Sequence, residues 1–165
     1  MKMKDILIYI AIIVGLIVVD QVSKYLVFKI YEVNHSYDCI PGFIRFDVLY
    51  NRGAMFGMME GKITLFFIVT AIGLGVFGYL LKFGNLLEYP LYTTGLLLMI
   101  GGTIGNFIDR FLSLFSSTGI NGVRDFITFD FFNFASFNFA DMCMCCGIVL
   151  LAFDIIFGEI GKQWT

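Results

Sequence analysis

The chain is short of the residues from which most catalytic sites are built. It has one histidine, His35, with no companion motif around it. That argues against histidine-based metal centres and against Ser-His-Asp hydrolysis. Of its four cysteines, Cys39 stands alone, while Cys143, Cys145 and Cys146 crowd together. This is not the paired spacing of a zinc site; the three read as apolar fillers, and no structural disulfide is expected. The net charge is −2 and Lys and Arg form no cluster, so nothing points to nucleic acid or another polyanion as a partner. Charge is scarce altogether, at 15% of residues against 59% hydrophobic, where soluble domains carry roughly 25% charged residues. With a mean hydropathy of +0.87, the chain reads as an integral membrane protein.

What is present is long apolar sequence. A single domain of 165 residues has room for a handful of spans of about 20 residues each. Four helices are predicted, over about residues 5–28, 62–82, 90–110 and 140–158. The first is preceded by Lys2 and Lys4, as a signal peptide would be. It runs into Asp20-Gln21 with no small-residue cleavage site, so it is expected to remain as a span. Gly101 and Gly105 place small residues four apart in the third helix, a pattern for close helix packing.

An even number of spans gathers the polar sequence on one face of the membrane. The end of the first helix, both ends of the loop to the second, the end of the third and the start of the fourth all fall there. They carry Asp20-Gln-Val-Ser-Lys24, Asn51-Arg-Gly-Ala54, Asn106-Phe-Ile-Asp-Arg110, Asp125 and Asn138-Phe-Ala-Asp141. Lys and Arg are also more numerous on this face, which taken literally would put it inside; cations belonging to a site would distort that count. Between spans one and two, Gly42 to Tyr50 shows the partial alternation of a short strand or hairpin. Ala54 to Glu60 has the composition of a surface helix. Seven phenylalanines lie between Asp125 and Asp141, readable as interfacial anchors or as an apolar entry to a site.

Carboxylates at a bilayer edge are costly unless paired or used. Asp20 and Lys24, four apart, share a helix face and are expected to pair. Asp109 is expected to pair with its neighbour Arg110. Asp125 and Asp141 differ, because apolar or amide residues surround them. Arg124 is adjacent to Asp125 but points the other way in an extended segment. Two carboxylates brought close together resist ionising together, which suits one as base and the other as acid. On spacing alone this reading stands beside a structural one.

The series Asp20-Gln-x-Ser-Lys24, Asn51-x-Gly-Ala-x-Phe-Gly57, Gly101-Gly-x-x-Gly-Asn-x-x-Asp-Arg110, Val123-x-Asp-Phe126 and Phe137-Asn-x-Ala-Asp141 resembles the lipoprotein signal peptidases (signal peptidase II) of bacteria. The resemblance covers nearly the whole chain. It implies four transmembrane helices with a small extracytoplasmic β-cradle and a short surface helix, in an otherwise all-α membrane protein. It implies an aspartic endopeptidase of the cytoplasmic membrane that cleaves prolipoproteins before a diacylglyceryl-modified cysteine. Asp125 and Asp141 become the catalytic pair, with no metal or other cofactor. Asn51, Gly53, Asn106, Asp109, Arg110 and Asn138 would bind or support the substrate, with Asp20 and Lys24 behind them. Membrane lipid and cyclic lipopeptide inhibitors such as globomycin are the further implied partners. Both termini would be cytoplasmic and the site would face the outer leaflet, overriding the charge count.

Two residues depart from the family's pattern. Arg124 stands where an apolar residue is usual, and Met142 follows Asp141 where a small hydroxyl residue is common. A cation beside Asp125 would lower its pKa and bias it towards the base, if the side chain reached it. Other classes fit less well. A small proton-coupled transporter should carry its key acid near mid-span, where helices two and three have none and Asp154 lies towards the far end of helix four. A presenilin-like protease would show Gly-x-Gly-Asp, which is absent. A noncatalytic assembly subunit leaves the acids on one face unexplained.

Overall fold

A computed structural model describes residues 3–52, 63–131 and 135–158. Helix α1 spans Met3–Ile30, α2 Ile63–Leu80, α3 Pro90–Leu112 and α4 Phe139–Phe157. All four are long and apolar enough to cross a membrane. At 28 residues, α1 is about 42 Å long, more than the ~30 Å hydrocarbon core requires, so its last turns can project beyond it. The mostly helical fold with four candidate spans and a small sheet matches the sequence expectation.

Helix α3 is the centre of the bundle. Of its most apolar stretch 61% is buried, against 22% for α4, 11% for α1 and 6% for α2. Leu96, Leu97 and Ile100 of α3 meet Tyr9 of α1 and Leu81, just beyond α2. Glycine makes this closeness possible where α1 and α3 cross. A Cβ on Gly101 would lie 2.8 Å from Leu16 Cδ1, and one on Gly105 would lie 2.6 Å from Asp20 Oδ2. Small residues at these positions bring a backbone against a neighbouring helix. For Gly105 the neighbour is a charged side chain.

The sheet has three strands in the order β1-β2-β3, all antiparallel. β1 is Ser36–Ile40, β2 is Ile44–Asn51 and β3 is Val123–Phe129. Pro41 and Gly42 turn the chain between β1 and β2, with Gly42 at a φ of +73° that favours glycine. The expected strand is therefore the second arm of a hairpin, and its other edge is covered by residues more than seventy positions away. Register pairs Leu49 with Asp125, Tyr50 with Arg124 and Asn51 with Val123. A second aliphatic and aromatic cluster fastens the sheet to the end of α1, with Val27, Val48 and Phe126 at its centre. The expected surface helix over Ala54 to Glu60 and the site residue Gly53 lie outside the described residues.

The phenylalanine-rich segment divides in two. Phe126 is core, whereas Phe43, Phe129 and Phe131 form an aromatic group at the tip of the sheet, with Phe43 and Phe131 stacked at 5.2 Å. Of the clustered cysteines only Cys143 is buried; Cys145 and Cys146 lie on the outside of α4 and do not fill the core.

Candidate active site

Asp125 and Asp141 come from different elements and meet at Asn138. Asp125 sits in β3, only 1% exposed. Its Oδ1 accepts a hydrogen bond from Asn138 Nδ2 at 2.6 Å and its Oδ2 one from Asn51 Nδ2 at 2.9 Å. Asp141 lies in the first turn of α4, where Asn138 is the N-cap. The Asn138 side chain accepts from the Asp141 backbone N–H at 3.1 Å, and Asp141 Oδ2 accepts from the Asn138 backbone N–H at 3.0 Å. This reciprocal capping box fixes both residues. Asn106 Nδ2 of α3 donates to the remaining oxygen, Asp141 Oδ1, at 2.7 Å.

One amide thus joins the two carboxylates through a short relay. Asn138 Nδ2 donates both to Asp125 and to Asn106 Oδ1, the latter at 3.0 Å, while Asn106 holds Asp141. The oxygen of Asn106 also accepts from Lys24 Nζ at 3.0 Å. Burial, and after it the charge of Asp141, push the Asp125 carboxyl up to about 7. Its direct partners are neutral amides, which support a carboxylate less than a charged donor would.

Behind the pair lies a buried charged layer, in which Lys24 Nζ binds Asp20 Oδ2 at 2.8 Å and lies 3.4 Å from Asp109 Oδ2. Gln21 bridges the same two carboxylates, donating from Nε2 to Asp20 at 3.0 Å and to Asp109 at 3.3 Å. Each carboxylate in turn holds a backbone amide. Asp20 Oδ1 accepts from the N–H of Ala140 at 3.0 Å and Asp109 Oδ2 from the N–H of Arg124 at 2.9 Å. Ala140 immediately precedes Asp141, and Arg124 immediately precedes Asp125.

One expectation about charge is corrected here. Asp109 does not pair with Arg110. Its partners are Arg124, whose Nη2 lies 2.7 Å from Asp109 Oδ1, and Lys24. Consecutive helical residues point to different sides, and Arg110 turns instead towards α2, its guanidinium 4.5 Å from the Phe66 ring centre. There it acts electrostatically on both Asp125 and Asp141. Arg124, as expected in an extended segment, points away from Asp125, whose carboxyl is raised rather than lowered. Its guanidinium faces the other side of β3, donating to Asp109 and, from Nη2, to Gln21 Oε1 at 2.8 Å. The sequence reading gave no role to Gln21, although it lies within the Asp20-to-Lys24 motif, or to Phe66.

The family model described as signal peptidase (SPase) II matches residues 12–157. This chain belongs to that family. It is 36% identical over 149 residues to a lipoprotein signal peptidase of Lactiplantibacillus plantarum, covering 90% of this chain and 94% of the relative. It is 38% identical to one of Caldanaerobacter subterraneus subsp. tengcongensis, covering 90% and 95%. Among solved structures it resembles a bacterial membrane enzyme determined by the in meso method at 2.3 Å resolution. That match has a TM-score of 0.77 and 31% identity, covering 90% of this chain and 87% of the other. As a signal peptidase II the protein is a membrane-embedded, multi-pass peptidase.

Proposed function

We propose that this signal peptidase II removes the signal peptide of prolipoproteins by cleaving before a diacylglyceryl-modified cysteine, with Asp125 and Asp141 as its catalytic pair. The observation that carries the assignment is the sharing of Asn138 by two carboxylates that, among the described residues, no arginine or lysine directly engages. Asp20 and Asp109, by contrast, are both engaged by buried cations.

The surroundings favour a different role for each partner. Asp141 lies at the N-terminus of α4, where helix N–H groups favour negative charge, and its two oxygens accept from the Asn138 backbone N–H and from Asn106. It is the ionised base. Asp125, deeply buried among neutral donors and raised to about 7, is the acid. Water between them gives a proton to Asp141 as its oxygen attacks the scissile carbonyl carbon, while Asp125 gives its proton to the carbonyl oxygen. The resulting gem-diol collapses when one of its hydroxyls returns a proton to Asp125. The C–N bond breaks, and Asp141 delivers its proton to the leaving nitrogen. Both carboxyls are restored without a covalent intermediate.

Asn51, Asn106, Asn138 and Arg110 supply donors around this space, suited to holding the peptide backbone and steadying developing charge. Asp20, Lys24 and Asp109 support them from behind. In this reading the diacylglyceryl chains stay in lipid between helices. The protein resides in the bacterial cytoplasmic membrane with both termini cytoplasmic and the site towards the outer leaflet. A cyclic lipopeptide such as globomycin is expected to inhibit it. The test is cleavage of a diacylglyceryl-modified prolipoprotein by the purified protein. Asp125→Asn and Asp141→Asn should each abolish it, and substantial turnover by either would sink the pair.

A further inference from the structure

Arg124 is the residue whose presence the reaction above does not explain. It is buried and precedes Asp125, yet its side chain leaves the reacting space altogether. Three of its donors converge on Asp109: the backbone N–H at 2.9 Å, Nε at 3.3 Å and Nη2 at 2.7 Å. Nη2 also reaches Gln21 Oε1 at 2.8 Å. One side chain therefore ties β3 to α3 and to α1, directly behind the peptide that carries Asp125. The corresponding hold on the other partner is lighter, a single bond from the Ala140 N–H to Asp20. That difference follows from structure, because Ala140 already sits in the capped first turn of a helix, whereas Asp125 sits in a strand whose pairing with β2 is irregular between Phe46 and Leu49.

We propose that Arg124 is a positioning residue for peptide cleavage, fixing the distance and direction of Asp125 relative to Asp141 by clamping β3 onto α1 and α3. This rests on the reading of Asp125 as a catalytic carboxyl. Both ends of the clamp return to the same layer: Asp109 holds Arg124, Asp20 holds Ala140, and Lys24 and Gln21 span the two carboxylates. The spacing of the pair is thereby referred to one turn of α1. Misplacing a reacting group by about 1 Å costs on the order of 100-fold in rate, so loosening this tether should act on turnover while leaving substrate capture alone.

The test compares the parent, Arg124→Leu and Arg124→Lys as purified full-length proteins, cleaving a diacylglyceryl-modified prolipoprotein well below their unfolding temperatures. Arg124→Leu should lower kcat by about 10- to 100-fold with KM within about twofold. Arg124→Lys should recover part of the loss, since a point donor reaches Asp109 or Gln21 but does not present a fork to both. A parental kcat in Arg124→Leu, or a loss carried by KM alone, would overturn the proposal. Should Arg124→Leu not fold, Gln21→Leu keeps the Arg124 to Asp109 pair and severs the tether to α1. A fall in its kcat at constant KM supports the clamp, and an unchanged kcat refutes it. Asp125→Asn runs alongside: turnover there removes the underlying reading, whereas an inactive Asp125→Asn beside a fully active Arg124→Leu removes only the clamp.

Discussion

Replacing Asp125 with asparagine should abolish turnover and, at neutral pH and above, make the protein more stable. The magnitude follows from where the carboxyl sits. Burial and the neighbouring Asp141 raise it from 3.8 to about 7, which corresponds to ~4 kcal/mol of unfavourable ionisation. The sign follows from proton uptake. Below about pH 4 the group is protonated in both folded and unfolded chains and carries no penalty. Between about 4 and 7 the folded protein binds the extra proton, so stability falls as pH rises. Above about 7 the folded state must hold the charge. Asparagine is free of that burden at every pH, but it has one acceptor where Asp125 has two. Asn51 and Asn138 each donate to a separate oxygen, so one donor loses its partner at a cost of about 1–3 kcal/mol.

The two effects cross. At about pH 4 Asp125→Asn should be less stable than the parent by the lost bond alone. At about pH 8 it should be more stable by ~1–3 kcal/mol, equivalent to roughly 2–10 °C in Tm for a chain of this size. Thermal unfolding in detergent, followed by circular dichroism across this range, measures the difference directly. The crossing is the informative part, because the lost hydrogen bond is an offset that does not titrate. A gap between variant and parent that stays constant with pH would refute the reasoning, whatever its size.

Three other outcomes follow from the same geometry. Cleavage by the parent should decline as pH rises through about 7, where Asp125 loses the proton it must donate; a pH-rate profile flat beyond that point would remove it as the acid. Gly105→Ala would put a Cβ 2.6 Å from Asp20 Oδ2, so it should cost ~1–3 kcal/mol in thermal unfolding and reduce turnover by displacing Asp20 from Lys24 and Ala140. Asp109→Ala leaves Arg124 and Lys24 buried with less countercharge and should destabilise by about 3–5 kcal/mol; a Tm equal to the parent's would contradict its place at the centre of the charged layer.

Legibility in the sequence followed the range of the interaction. Asp20 and Lys24 could be paired on paper because a helix repeats every 3.6 residues, and the same periodicity and apolarity mark the four spans. Strand β3 was harder. Val123-Arg-Asp-Phe-Ile-Thr-Phe129 shows no clean alternation because both its faces are largely buried, one against the charged layer and the other towards Asn51 and Asn138. Its pairing with β2 spans some seventy residues. Asp109 misled because adjacency in sequence is not adjacency on a helix. Its true partner lies 15 residues on, past a turn that no local pattern encodes. Gln21 stood in plain view inside a motif, but an amide's partners are set by tertiary geometry. The short alternating run at Gly42 to Tyr50 revealed one strand, while its neighbour Ser36–Ile40, mostly exposed on both faces, left no hydrophobic signature.

The charged layer and the pair are linked by a count of charges. Among the described residues, Asp20, Asp109, Asp125 and Asp141 face Lys24, Arg110 and Arg124 across one connected region. Four carboxylates meet three cations, in surroundings where an uncompensated charge is expensive. Asp20 and Asp109 each sit in direct contact with a cation and two or more further donors, and so are matched by Lys24 and Arg124. The remaining cation, Arg110, balances one more negative charge. Neutrality then requires a single proton on Asp125 or Asp141, which is the protonation state that general acid and base cleavage by the pair would use. On this account the cations behind the site do more than hold helices together. Removing Lys24 or Arg110, whose charges act on the pair, should favour a second proton there, silencing the base, even where the fold survives.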